Sequence, residues 1–133
     1  MKQFPLQLER YFFTEQYISA NQEFNQDTEN NPINIEQTIN SDFSKTDEEE
    51  KYFISAEISL NREKSSNPPY FFKISVFGII SIRDKDTPNE VIESMIRTSG
   101  TQLVIGAVRE RLAEMSSRGP WGMIHMDFIP ISK

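Results

Sequence analysis

The segment Tyr70–Ile82 is the feature that most limits what this chain can fold into. Its even-numbered positions alternate as in a strand with a buried face: Phe72, Ile74, Val76, Ile80 and Ile82. Its odd-numbered positions add further large apolar residues: Phe71, Phe77 and Ile79. A strand that is apolar on both faces is normally covered on both. Because one layer of helix from a chain of 133 residues covers only one face, we expect a partner subunit on the other.

Three earlier segments also have the alternating pattern of strands. The first covers residues 4–19, and its alternation slips at the consecutive aromatics after Arg10, which predicts a β-bulge or burial on both faces. The second covers residues 33–43 and has one polar face, and the third covers residues 52–60. Polar, turn-rich loops separate the strands.

The last third of the chain has the pattern of helices. A capping box, Thr87 to Glu90, with Pro88 at the first helical position, predicts where the first helix begins. We expect this helix to direct Val91, Met95 and Ile96 inward and to break near Gly100.

An amphipathic helix is predicted to resume over residues 101–118. It would pack through four apolar residues spaced three or four apart: Val104, Val108, Leu112 and Met115. Gly119, as a left-handed cap, and Pro120 would end it.

This order of elements, strands first and helices last, predicts an α+β fold. We expect a four-stranded antiparallel sheet with a long C-terminal helix, broken near Gly100, packed on one face. By its length the chain, residues 1–133, is predicted to be a single domain.

Composition argues against several classes of function. A net charge of −6 and a pI near 4.8 argue against nucleic-acid binding, which needs a basic surface. The absence of cysteine and the single histidine argue against a disulfide framework and a zinc site. No apolar run has the length of a membrane span, and the N-terminus lacks a signal-peptide core, so we expect a cytoplasmic protein that is not inserted in a membrane.

No arrangement of residues in the sequence predicts catalysis. No glycine-rich loop follows a strand, and no nucleophile motif accompanies the pair His125 and Asp127. We therefore expect neither enzyme activity nor a bound cofactor or metal ion.

The ten phenylalanines are unusual for this length and favour a binding surface. Aromatic and methionine side chains adapt to varied apolar partners because they need no fixed hydrogen-bond geometry. We predict a hydrophobic groove for polypeptide clients, formed by Phe24, Tyr52, Phe71, Phe77, Trp121, Met123 and Met126. Two alternatives stay open: Phe24 as an ordinary exposed aromatic, and Trp121 as an anchor that pins the tail to the sheet.

The two ends of the sequence resemble the SecB family of protein-export chaperones. The C-terminal signature of that family is similar to Arg109-Glu110, Met115, Ser117-Arg118-Gly119, Trp121, Ile124 and Met126. The first strand of the family resembles the segment that carries Phe4, Leu8 and Arg10. Where the family usually has Leu-Phe-Pro before the helix arginine, this chain has Val104-Ile105-Gly106.

The resemblance implies an ATP-independent chaperone, a holdase, that binds unfolded or precursor polypeptides. It implies a homotetramer built as a dimer of dimers, and it places Glu15 where the family contacts the SecA motor. The residues themselves leave a second function open. The chain would then be a SecB-like interaction subunit, or a chaperone dedicated to one partner such as an antitoxin, without coupling to the export motor.

Overall fold

A computed structural model of the protein describes residues 6–47, 50–83 and 86–124. Four strands come first: β1 (Leu6–Ala20), β2 (Gln37–Lys45), β3 (Lys51–Leu60) and β4 (Tyr70–Ile82). A helical segment follows: α1 (Asn89–Met95), a π-helical turn (Ile96–Gly100) and α2 (Thr101–Ser117). The predicted α+β fold, a four-stranded antiparallel sheet with a long C-terminal helix, is confirmed.

The strands lie in the order β1-β4-β3-β2, and every neighbouring pair is antiparallel. The bulge predicted in the first strand is confirmed, and there are two of them: the register with β4 shifts between Leu8 and Arg10 and between Phe13 and Glu15. β1 and β2 are therefore the two edges of the sheet, and β1 is the irregular one.

β2 begins later than predicted, at Gln37 instead of residue 33. The reason is that Asn34 is bonded elsewhere: its amide donates to the Ser66 carbonyl oxygen and its carbonyl accepts from the Ser66 amide, each at 2.9 Å. This bridge ties the segment to the loop between β3 and β4, and Ile33 is left exposed.

The core lies between the helical segment and one face of the sheet. The even-numbered residues of β3 and β4 point into it, and Ile54, Ile58, Ile74 and Ile80 are almost completely buried. From the helical side the core receives Ile96, Val104, Ile105, Val108 and Leu112. The predicted inward face of α2 is thus confirmed, with Met115 partly buried against the same cluster.

The start of the helical segment differs from the prediction in two ways. The first helical residue is Asn89, Pro88 is the N-cap, and no side chain caps the helix, so the capping box does not form. The predicted inward residue Val91 is exposed, and Ile92 is buried in its place. Ile92 and Ile96 are four residues apart and so share the buried side of the helix.

The break predicted near Gly100 is the π-helical turn, and the backbone remains right-handed and helical on both sides of it. A Cβ atom at Gly100 would lie 3.0 Å from Cδ1 of Ile80 and 3.5 Å from Cδ1 of Ile54. Glycine here lets the helical segment approach the sheet closely. The Thr101 hydroxyl donates to the Arg97 carbonyl oxygen at 3.0 Å, and it is also 3.3 Å from that of Ile96.

Truncating Leu112 tests the packing of α2. Because Leu112 is fully buried, Leu112→Ala is expected to lower the free energy of unfolding by about 2–5 kcal/mol, the sum of a transfer and a cavity cost. The matched control is Leu103→Ala on the same helix, which is expected to cost below about 1 kcal/mol because Leu103 is 36% exposed. Urea denaturation followed by circular dichroism measures both changes. An equal decrease in the free energy of unfolding for the two variants would mean that the buried face of α2 is misassigned.

Candidate functional site

The sheet surface opposite the helices, which we name the outer face, carries large apolar side chains. It is formed by the odd-numbered residues of β3 and β4 and by the residues that pair with them on the edge strands. No helix of the described residues covers it. Its apolar members are Phe12, Tyr17, Phe53, Phe71, Phe77 and Ile79.

Three phenylalanine rings cross the outer face from β1 through β4 to β3, and we name them the aromatic row. The ring centroid of Phe77 lies 5.5 Å from that of Phe12 and 5.3 Å from that of Phe53. Phe12 is 45% exposed and Phe53 37%, while Phe77 between them is partly buried. Rings at these separations are in the usual range for aromatic pairs, and the row is a continuous apolar contact surface.

The charges beside the aromatic row are paired. The Lys73 ammonium lies 3.2 Å from the Glu15 carboxylate and 3.4 Å from that of Glu57. Hydrogen bonds first to Glu15 and then to Glu57 raise the pKa of Lys73 above its ordinary value. Glu15, to which the resemblance assigns a contact with the SecA motor, is thus exposed but already has a cationic partner.

A shallow groove of about 350 Å³ lies next to the aromatic row, toward the β2 edge. Phe77 forms one side, and the other side is polar and acidic, with Asn40, Asp42 and Glu57. The hydroxyls of Ser55 and Ser75 line it between them. The groove joins an aromatic surface to a carboxylate-bearing edge.

A second aromatic contact lies where the chain leaves α2. The ring centroids of Trp121 and Phe24 are 5.3 Å apart. The Trp121 indole donates to the Asn21 carbonyl oxygen at 3.0 Å, and its amide donates to the Tyr70 hydroxyl at 2.9 Å. These contacts pin the segment after α2 to the loop after β1, and they favour the interpretation of Trp121 as an anchor.

Tyr70 organises this corner. Its buried hydroxyl donates to the Gly122 carbonyl oxygen at 2.9 Å, and the hydroxyl of the buried Ser116 accepts the Ile124 amide at 2.7 Å. Gly119 was predicted to be a left-handed cap, and this is wrong: the positive φ, +86°, belongs to Gly122. Gly119 is needed for a different reason, since a Cβ there would collide with the Tyr70 ring.

The residues predicted to form one groove occupy three separate places. Phe71 and Phe77 are on the outer face, and Arg62 stacks on Phe71 with its guanidinium carbon 3.8 Å from the ring centroid. The corner after α2 contains Phe24, Trp121 and the 48% exposed Met123.

Tyr52 is in the third place, the core. It is only 4% exposed and lies on the helix-covered face of β3, where burial, followed by the charge of Glu93, raises its pKa. It is therefore not at an open surface of this chain. Met126, His125 and Asp127 lie outside the described residues.

Two members of the aromatic row were not identified from the sequence. Phe53 had a signal, because it alternates with the polar Ser55 and Glu57 and therefore belongs to the uncovered face. The sequence gives no such signal for Phe12, because this residue lies between the two bulges of β1, and the bulges change which residues face outward.

Comparisons with known proteins identify the fold. No family model matches the chain, and no curated protein matches its sequence. Among solved structures, the SecB-like chaperone Rv1957 of Mycobacterium tuberculosis, in complex with a ChAD peptide from the HigA1 antitoxin, superposes with a TM-score of 0.66 at 8% sequence identity. The match covers 97% of this chain and 94% of the other. A protein of unknown function from Streptococcus agalactiae has a TM-score of 0.46 at 13% identity, over 92% and 97% of the two chains.

The chain therefore has the fold of a SecB-like chaperone, and the resemblance seen in the sequence is confirmed at the level of the fold. In the described part of the chain, no helix is long and apolar enough to span a membrane. Nor does any group of three histidine, aspartate or glutamate side chains there come together as metal ligands would.

Two glycine substitutions test the corner after α2. Gly119→Ala is expected to lower the free energy of unfolding by about 1–3 kcal/mol, because the new methyl group overlaps the buried Tyr70 ring. The matched control is Gly106→Ala, in which the methyl group meets no atom within 4 Å. Because alanine stabilises a helix relative to glycine, the free energy of unfolding is expected to rise by about 0.5–1 kcal/mol. Thermal or urea unfolding measures both changes, and a neutral Gly119→Ala would contradict the close packing of Tyr70.

Proposed function

We propose that this protein is an ATP-independent chaperone that holds unfolded polypeptide against the outer face. The observation that carries the proposal is the aromatic row, which offers two exposed phenylalanine rings on an uncovered sheet surface. Burial of apolar surface contributes about 25 cal/mol per Å², so clients that cover these rings gain affinity whatever their sequence. The proposed activity needs no catalysis and no cofactor.

The chemistry of the outer face suits varied clients. Phenylalanine requires no hydrogen-bond partner, so it accepts different apolar side chains in different orientations. Because Lys73 is paired with Glu15 and Glu57, and Lys51 with Glu9, few unpaired charges compete with apolar contact. Binding is therefore expected to persist at moderate salt.

The fold supports a polypeptide as the partner. The Mycobacterium tuberculosis chaperone with this fold was solved in complex with an antitoxin peptide, and it is a precedent for peptide binding by a protein of this fold. We extend this to unfolded segments in the cytoplasm, including precursor proteins, for the single domain of residues 1–133.

A second function, a chaperone dedicated to one partner such as an antitoxin and not coupled to the export motor, has one observation in its favour. The carboxylate of Glu15, the candidate contact for SecA, is held by Lys73. A motor would have to compete with this ion pair. The ion pair therefore favours a chaperone that is not coupled to SecA.

Removing the aromatic row tests the chaperone proposal. The double variant Phe12→Ser, Phe53→Ser is expected to weaken client binding about tenfold or more, since hot-spot aromatics contribute a few kcal/mol and 1.4 kcal/mol is a factor of ten. The matched control is Val91→Ser, which removes an equally exposed apolar residue from the helical layer and should leave binding unchanged. The measurement is light scattering of chemically denatured citrate synthase during dilution into each protein.

Two outcomes would count against the proposal. If the unaltered protein in stoichiometric excess does not suppress aggregation, the protein is not a general holdase. If the double variant suppresses aggregation as well as the control does, the clients do not bind to the aromatic row.

Native mass tests self-association. The doubly apolar β4 and the resemblance together favour at least a dimer and, in the family's arrangement, a dimer of dimers. Light scattering at micromolar concentration should give such a mass, with an interface above roughly 1,600 Å². A monomer would contradict this expectation, and a change of mass in the Phe12→Ser, Phe53→Ser variant would assign the aromatic row to the subunit interface.

A further inference from the structure

A pocket of about 230 Å³ lies at the end of the sheet, between the turn from β2 to β3, the last residue of β4 and the start of α1. Its charged and polar lining residues include Lys45, Glu50 and Tyr52, and its apolar ones are Ile82 and Ile92. Because sites for drug-sized ligands measure roughly 300–1,000 Å³, this pocket suits a smaller molecule. We name it the end pocket.

Backbone hydrogen bonds hold the turn from β2 to β3 against the end of β4. The Glu50 carbonyl oxygen accepts the Ile82 amide at 2.8 Å. On the other side of the turn, the amide and the hydroxyl of Thr46 both donate to the Lys51 carbonyl oxygen at 3.1 Å. The turn thus brings two side chains of opposite charge, Lys45 and Glu50, to the same pocket.

The hydroxyl of Tyr52 is available to a ligand in the end pocket. Tyr52 is only 4% exposed, yet no described residue makes a hydrogen bond to its hydroxyl. A buried hydroxyl normally has a partner, because burial without one is unfavourable. The Tyr52 ring packs beside Phe43, with 6.3 Å between the ring centroids, so the hydroxyl is held in place.

The hydroxyl can both donate and accept. Burial, followed by the charge of Glu93, raises the pKa of Tyr52, so the hydroxyl keeps its proton at neutral pH. It can therefore bond to a carboxylate or to an ammonium group.

The charges at the end pocket favour a ligand that carries both signs. Lys45 forms no ion pair with a described residue, and its ammonium can donate to a carboxylate. The Glu50 carboxylate has acceptor sites for more than one donor, so it can accept from an ammonium group. A simple anion would be repelled by Glu50 and by the nearby Glu93, and a simple cation would be repelled by Lys45.

We propose that the end pocket binds a free α-amino acid with an apolar side chain, such as leucine. Its carboxylate would lie at Lys45, its ammonium at Glu50, and the Tyr52 hydroxyl would bond to one of the two. Its side chain would pack on Ile82 and Ile92, which are 5% and 6% exposed. The end pocket shares no residue with the aromatic row, so binding there is independent of the proposed function.

Three small molecules of similar shape test the two charges. Leucine carries both, 4-methylpentanoate lacks the ammonium group, and 3-methylbutylamine lacks the carboxylate. The acid and the amine are each expected to bind about tenfold or more weakly than leucine, because a charge-assisted hydrogen bond is lost. The measurement is a titration of the isotopically labelled protein, followed by the δ1-methyl NMR signals of Ile82 and Ile92. The signal of Ile74, which is fully buried in the core, is the internal reference.

Two variants test the polar groups of the pocket. Tyr52→Phe keeps the ring beside Phe43, and it is expected to weaken leucine binding about tenfold. The midpoint of its urea unfolding should not change, because the hydroxyl has no bond to a described residue.

Lys45→Gln is expected to reduce the affinity for leucine to that for 3-methylbutylamine, and to leave the affinity for the amine itself unchanged or higher. The matched control is Lys64→Gln, which removes an exposed lysine from the loop between β3 and β4, at the other end of the sheet. It should bind leucine as the unaltered protein does.

Four results would overturn the inference. Leucine at its solubility limit could leave both methyl signals unshifted, or the acid or the amine could bind as tightly as leucine. Unchanged leucine binding by Tyr52→Phe and Lys45→Gln would place the amino acid elsewhere. N-acetylleucine N-methylamide represents a leucine within a peptide, and equal binding of it would make the pocket a site for client side chains. None of these results bears on suppression of aggregation, which tests the chaperone function separately.

Discussion

The sheet is apolar on both faces, and the helical segment covers only one. β4 lies inside the sheet between β1 and β3, buries Ile74 and Ile80 beneath the helices, and turns Phe77 and Ile79 to the outer face. A register slip of one residue would exchange the two faces, so the helix-covered core fixes which side chains are left outside. The exposed aromatic row is therefore a direct consequence of how the core is built, and any function of this chain has to make use of it or cover it.

The helical layer packs on the sheet, and at two places the contact is close enough to require glycine. Gly100 lets the π-helical turn meet Ile80, and Gly119 lets the end of α2 meet the ring of Tyr70. The Tyr70 hydroxyl then holds the Trp121 amide and the Gly122 carbonyl, which fixes the direction of the chain after the helix. Because these contacts leave the opposite surface of the sheet untouched, the covered face gives stability and the outer face remains available for a partner.

The fold was largely predictable because it follows from periodicity. The alternation in β3 and β4 and the spacing of Val104, Val108 and Leu112 each identified the buried face correctly. The binding residues were harder, because an apolar residue has the same sequence pattern in a core, an interface or a groove. Tyr52 was placed among the groove residues although its partners in the alternation are core residues, and it lies in the core. The orientation of Phe12 depends on the bulges on either side of it, and no local sequence pattern marks their positions. The role of Gly119 depends on Tyr70, which is distant in sequence, so the residues around Gly119 do not indicate it.

Site-specific photo-crosslinking tests most directly the claim that the outer face binds unfolded polypeptide. A benzoylphenylalanine in place of Phe53 would lie on the outer face, and one in place of Val91 would lie on the helical layer with similar exposure. With a reduced and carboxymethylated client present, irradiation is expected to give a client adduct at position 53 and little or none at position 91. Equal adducts at both positions, or an adduct at position 91 alone, would contradict the account.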